Sequence, residues 1–309
     1  MSDPFAKIIC HSISPQGIPL VTVHLRYWRG VHSEIMTHRS FSRNARSSRA
    51  VPIQKMIDEV RKDPFIPRHW GKNQKGMQAA EECNANVWLP NPFAKSGETE
   101  LDRREAWLWA RETALDAALG FMNAGYHKQI VNRLLEPFMW IDTLVTATDW
   151  ANFMALRDHK DAEPHIRDLA QLTKEAIAAS SPRELKPGDW HLPYIKGEEL
   201  DFWFNGEDQS LDFEGGYDIA RRVSAARCAR ISYSPFDGNS SLEAELDRFD
   251  KLVTTQPVHA SPVEHQATPD SLYRGHREKK WNFPDQHRNF RGWRQFRAMI
   301  AGETVRDAP

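Results

Sequence analysis

An α+β fold is predicted for this 309-residue chain by two patterns that occupy different stretches of it. Between Ile18 and Tyr27 the side chains alternate. Val21, Val23, Leu25 and Tyr27 share one face and Thr22, His24 and Arg26 the other, the mark of a half-buried strand, with Gly17 and Pro19 at its start. From Glu100 onward the period changes. Helical patterns cover Glu100–Ala124, His127–Glu136 (stopped by Pro137), Asp149–Arg157 and Glu163–Ala179, and return at Tyr217–Arg230 and Ser241–Thr255. Residues 100–179 read as an all-helical block with apolar residues on too many sides for solvent, so helix-on-helix burial, within or between subunits, is expected.

The remaining elements follow in chain order. After Gly30 the spacing predicts a helix through the arginine-rich segment 33–50. Pro52 suits the first turn of a helix over IQKMIDEVRK that stops before Pro64. Residues 64–98 and 181–215 show no clear period and are rich in Pro and Gly, so they read as long loops inserted in a single domain spanning 1–309. ISYSPFDGN reads as strand to turn, and the tail after Pro269 is basic and aromatic without a motif.

Composition narrows the class. The chain is 40% hydrophobic and 27% charged with a net charge of −1, ordinary for a protein with a real core. A bulk polycation is excluded, and no stable nucleic-acid partner is expected. There is no signal pattern and no membrane-length apolar run. Cys10, Cys83 and Cys228 are odd in number and without a CxxC pair, which fits free thiols in a cytoplasmic protein.

Chemistry concentrates in SEIMTHRSFSRNARSSRA, Ser33 to Ala50. Arg39, Arg43, Arg46 and Arg49 with His38 face one acid, Glu34, and five hydroxyls lie among them. Guanidinium forks and serine hydroxyls are good holders of phosphate oxygens. On composition alone a solvated basic face or a nucleic-acid patch is about as good a reading.

The segment resembles the signature of the flavin-dependent thymidylate synthases, the ThyX family: Gln-x-x-Arg-His-Arg, a spacer, then Ser-x-Asn-Glu-x-Ser-x-Arg-Tyr. His38, Arg39, Ser42, Asn44, Ser47 and Arg49 match, while Glu34, Thr37, Ala45 and Ala50 depart. Four further segments resemble the same family: ARISY at 229–233, HASPVEH at 259–265, NRLLEP at 132–137 and WANFMALR at 150–157. In the usual family member the first two precede the arginine signature. Here they follow it, so the chain resembles a circular permutation of that fold, with a mixed sheet packed against a helical block. Permutation is physically reasonable where the original termini lie close together.

The resemblance implies a homotetramer with sites shared between subunits. It also implies FAD as cofactor, NADPH as reductant, and methylenetetrahydrofolate as one-carbon donor to C5 of a deoxypyrimidine monophosphate, dUMP in the usual case. By residue it implies Arg157, catalytic, facing the uracil ring, where a cation favours ionised N3. Ser47, Ser48 and Arg49 would bind the nucleotide phosphate, and Arg133 would reach it from a neighbouring subunit, although a surface ion-pair role for Arg133 is almost as good a reading. His38 and Arg39 would contact flavin, with Thr37 standing where an arginine is usual. Asn152 would hold flavin, with Thr146 and Thr148 in place of family residues. His259, Ser261 and Glu264 would lie near flavin and folate. The i, i+6 spacing of His259 and His265 suits no metal face, so no metal is expected.

Glu34 replaces a neutral amide with an acceptor that could take the exocyclic amine of cytosine. The expectation is therefore that dCMP is an alternative substrate, giving a 5-methyl or 5-hydroxymethyl product. Two rivals stand beside this reading. One is a non-catalytic nucleic-acid-binding protein using the basic segment and the basic-aromatic tail. The other is a synthase with a cysteine nucleophile, for which Cys83 in EECNANVW is the loop candidate.

Overall fold

A computed structural model of the chain describes residues 3–76, 79, 81–91, 93, 95–205, 213–231, 239–254, 258–274 and 279–303. Ser232 and Tyr233 of ARISY, and most of the stretch read as strand to turn, lie outside them. The centre is a five-stranded mixed sheet. Its strands are β1 (Phe5–Ile13), β2 (Pro19–Trp28), β3 (Ser42–Ala45), β6 (Trp140–Ala147) and β7 (Arg183–Glu184), in the order β3-β6-β2-β1-β7. All pairs are antiparallel except β1 with β7. Short strands β4 (Val87–Pro90) and β5 (Glu98–Leu101) form a hairpin, as do β9 (Leu272–Arg274) and β10 (Lys279–Trp281), while β8 (Ala267–Pro269) pairs with β11 (Trp293–Gln295).

The alternation read in β2 is realised. Val21, Val23, Leu25 and Tyr27 join Ile141 and Val145 of β6 in a core closed by α1 (His32–Ile35), α5 (Ala151–Arg157) and α6 (Pro164–Ala178). On the opposite face Ser12, Thr22 and Thr146 continue a buried polar row. His191 Nδ1 lies 2.9 Å from Ser12 Oγ and its Nε2 2.8 Å from Thr22 Oγ1; Thr22 and Thr146 hydroxyls are 2.7 Å apart; Thr146 Oγ1 lies 2.8 Å from His265 Nδ1. This row seats the C-terminal layer of α7 (Gly197–Asn205), α8 (Phe213–Ala229) and α9 (Leu242–Thr254) on the sheet. A third cluster packs α2 (Ile53–Lys62) against α3 (Arg103–Asn123), α4 (Lys128–Val131) and the 3-10 turn Asn132–Phe138. Among the described residues no helix is long and apolar enough to cross a membrane.

Three expectations need correction. The arginine segment is not a helix: α1 ends at Ile35 and Ser42–Ala45 is an edge strand paired with β6. Strand pairing wins because Ser42 and Asn44 place their side chains in a polar, buried contact that a helix would not offer, and such residues compete poorly in helix interiors. Residues 100–179 are not all helical, since β6 runs through the middle of the sheet. With both of its faces covered, WIDTLVTA is buried at seven of its eight positions and shows little alternation. The loops 64–98 and 181–215 contain β4 and α7.

Gly30 is fixed by a close approach rather than by its backbone angle. A Cβ there would fall 2.4 Å from the Trp28 ring, which stacks on Phe65 with centroids 4.8 Å apart. Gly30→Ala is expected to cost about 1–3 kcal/mol, as overpacking does. A urea midpoint that does not fall would show that the indole can move aside freely.

Candidate functional site

The structure brings the sequence-predicted residues together in three groups around β3. The first joins α1 and the following turn to α5. Arg157 Nη1 donates to Glu34 Oε2 at 2.7 Å, Nη2 donates to Thr37 Oγ1 at 3.2 Å, and Nε meets His38 Nε2 at 3.2 Å. Arg157 stands at the C-terminus of α5, where a cation also meets the helix dipole. Burial, with Arg157 and Arg43 nearby, pushes His38 down to about 4, so it is a neutral acceptor at pH 7. Burial raises the Glu34 carboxyl above its usual range, and Arg157 opposes this without cancelling it. Asn152, on the same helix, is exposed and makes no contact with the group.

The second group lies at the 3-10 turn Ser261–Glu264, which packs against β3. Ser261 Oγ donates to Asn44 Oδ1 at 3.5 Å, and Asn44 Nδ2 donates to the Cys228 carbonyl at 2.7 Å. Glu264 pairs with Arg297; burial raises its carboxyl, against the pull of Arg297, Ser42 and Arg43. Gln295 Nε2 donates to Ser42 Oγ at 3.0 Å and to the Glu264 carbonyl at 2.9 Å. His259 is exposed at the start of this segment. Arg43 links the first two groups: its Nη1 donates to the carbonyls of Met36 at 2.7 Å and His38 at 3.1 Å, and its charge is felt by Glu264.

The third group follows β3. The buried Ser48 hydroxyl donates to Glu136 Oε1 at 2.9 Å, and Asn132 Nδ2 donates to the Ser48 carbonyl at 2.7 Å. Arg133 reaches Glu136 at 3.7 Å with its side chain 55% exposed, and its Nε donates to the Gln129 carbonyl at 3.1 Å. Ser47 Oγ accepts from the Arg49 backbone N–H at 3.3 Å, so it caps a local turn. The guanidinium groups of Arg39 and Arg49 are exposed and make no hydrogen bond or ion pair among the described residues.

Beside the third group two cavities of about 530 and 360 Å³ share Arg46 and Glu59, which pair at 2.8 Å. The larger has Arg26, Lys62, Asp63 and Trp140 on its wall; the smaller has His24, Ala50, Asp142 and Arg230. Neither is lined by Glu34, Thr37, His38 or Arg157, so these two hollows and the Arg157 group are separate features. Burial works against the Asp142 charge, but the His24 hydrogen bond at 3.0 Å and Arg26 outweigh it and hold the carboxyl low. Sequence reasoning named Arg43 and Arg46 only as part of the basic segment, without roles of their own, and passed over Asp142 and Arg297. Asp142 had a visible signal, an acid inside an apolar strand. Arg297 had none, because its partner is 33 residues away.

No protein-family model matches the chain, and no curated protein matches it in sequence. Two solved structures of the UMP/dUMP methylase PolB from Streptomyces cacaoi are similar to part of it. The form bound with 5-Br UMP has 15% identity and a TM-score of 0.42, over 58% of this chain and 90% of that one. The form bound with 5-Br dUMP has 14% identity and a TM-score of 0.38, over 58% and 96%. These are distant likenesses.

Proposed function

We propose that the chain is a flavin-dependent enzyme of the thymidylate synthase kind, carrying the family's segments in permuted order and transferring a one-carbon unit to a deoxypyrimidine monophosphate. The observation that carries this reading is the Arg157 group. WANFMALR and the arginine signature are remote in sequence, yet the last residue of one contacts three positions of the other: 34, 37 and 38. A solvated basic face would give no reason for that convergence. The seating of HASPVEH on β3 supports the same reading. What supports the permuted order is the tail, which folds back to the start of β2, with Trp293 Nε1 donating to the Ile18 carbonyl at 3.2 Å. A rotated chain needs its tail there.

The residues present fit a flavin dinucleotide and a nucleotide monophosphate. Exposed, unengaged guanidiniums at Arg39 and Arg49 suit a diphosphate and a phosphate, and the exposed side chains of Asn152 and His259 are accessible to a ligand. Ser48 and Arg133 are already held by Glu136, so their part would be to shape the turn that presents Arg49. FAD would supply redox and one-carbon chemistry; the chain supplies orientation and charge. NADPH would reduce the flavin, and methylenetetrahydrofolate would bring the carbon. Three groups spread around one strand also suit sites completed by other copies in a homotetramer.

The experiment is optical. Purified protein, reconstituted with FAD if colourless, should show a bound-flavin absorbance spectrum that NADPH bleaches. Protein that never takes up FAD, and binds DNA with strong salt dependence instead, would replace this reading with the nucleic-acid one.

A further inference from the structure

Two of the four departures from the family signature, Glu34 and Thr37, meet at one residue. Arg157 Nη1 donates to Glu34 Oε2 at 2.7 Å; Nη2 donates to Thr37 Oγ1 at 3.2 Å and to the Glu34 carbonyl at 3.4 Å; Nε meets His38 at 3.2 Å. Thr37 Oγ1 in turn donates to the Glu34 carbonyl at 2.7 Å. The substitutions are thus two parts of one arrangement, in which the arginine grips a carboxylate that the usual signature lacks.

That grip changes what the arginine can do. A guanidinium facing a pyrimidine ring alone favours ionised N3. One whose charge is met by a carboxylate at 2.7 Å favours it far less, and suits a neutral ring better. The carboxylate itself has spare capacity. Glu34 Oε1 makes no hydrogen bond among the described residues and the side chain is 34% exposed. An ionised carboxylate offers acceptors only, where an amide would offer a donor as well.

The two pyrimidines answer this pair differently. With Arg157 at N3, Glu34 meets one of the two ring positions beside it. In uracil both of those positions are carbonyl oxygens, so acceptor faces acceptor whichever side Glu34 takes. In cytosine position 4 is an amine, which donates to the carboxylate, while unprotonated N3 accepts from the guanidinium. Both contacts then form without ionising the base. Met36, two residues after Glu34, and Leu156, next to Arg157 in the chain, are 45% and 54% exposed.

We propose that Glu34 reads the exocyclic amine of a cytosine base and that Arg157 both holds Glu34 and donates to N3, so the nucleotide taken at this site is a deoxycytidine monophosphate. The inference rests on the nucleotide-enzyme reading above. It assigns the base, which that reading leaves open between uracil and cytosine.

The test is equilibrium binding of dCMP and dUMP by the full chain and by Glu34→Gln, using calorimetry. Wild type should bind dCMP about 5- to 150-fold more tightly than dUMP, the range one good base contact gives. Glu34→Gln, which keeps an acceptor for Arg157 and adds a donor, should move the ratio towards dUMP. Wild type that binds dUMP as well as or better than dCMP overturns the inference and leaves the nucleotide reading standing. So does a ratio unchanged in a folded Glu34→Gln. Wild type that binds neither nucleotide overturns both. The wild-type ratio needs no variant to fold, so a variant that does not fold leaves it decisive.

Discussion

Lowering the pH from 7 to 4 should remove most of the stability of this protein, through the histidines that seat its C-terminal layer. His191 and His265 are fully buried, and burial pushes each down to about 3, with Arg183 adding to the effect on His191. The sign follows from proton linkage. Both groups are neutral in the folded state across this range, whereas in the unfolded chain they take up protons below about pH 6.5. Stability is therefore fully present above that value and falls as pH drops towards 3. At pH 4 the loss is about 3 kcal/mol for each of the two, against a typical total of about 5–15 kcal/mol.

His32 and His38, each held down to about 4, add to the loss in the same direction. Asp142, held low, adds its own share only when the pH falls below the usual aspartate range. Glu34 and Glu264, raised by burial, work the other way and gain as they protonate. The measurement is the urea midpoint by tryptophan fluorescence at each pH. His265→Asn keeps a side-chain nitrogen near Nδ1 for Thr146 and cannot titrate. Its stability should fall less steeply with pH, by about one proton. An unchanged slope would show that His265 is not one of the groups responsible.

The same residues mark how far the sequence could be read. The strand at 18–27 was legible because one face is covered by the α5 and α6 layer and the other carries Thr22, His24 and Arg26, which gives a period of two. Its neighbour β6 was hidden because both faces are covered, and burial on both sides erases the period. The arginine segment misled for a different reason. Arg39, Arg43 and Arg46 have helical spacing, but Arg43 caps carbonyls at the end of α1 and Arg46 pairs across to Glu59 on α2. Arg43 turns back to the end of α1, Arg46 reaches across to α2 and Arg39 points to solvent, so their mutual spacing carried no structural information. The convergence of Glu34, Thr37, His38 and Arg157 was foreshadowed only by resemblance. No local pattern joins residue 157 to residue 34, and the carboxylate that neutralises the arginine stood in the sequence merely as a departure from a signature.

Glu245→Ala should be the most damaging single substitution in the C-terminal layer. Glu245 is wholly buried on α9, paired with Arg230 at 3.0 Å and with Arg248 one helical turn on. Both arginines also reach the Asn239 carbonyl, at 2.9 and 3.4 Å. Removing the acid leaves two guanidiniums facing one another where neither can fully rehydrate. Breaking one partner out of a buried ion cluster costs about 3–5 kcal/mol, even though the intact cluster adds little net stability over an apolar replacement. For a chain of this size that is a fall in melting temperature on the order of 10 °C.

Glu245→Gln, which keeps the acceptors and loses the charge, should fall between wild type and Glu245→Ala. Arg230 belongs to the ARISY segment and lines the 360 Å³ cavity beside Arg46 and Asp142. Released from Glu245, it would be drawn towards Asp142, so the cavity should change together with the stability. Calorimetric melting of the three proteins checks the order. If Glu245→Ala melts within a degree or two of wild type, the acid is not the anchor of Arg230, and the cavity wall must owe its shape to something else.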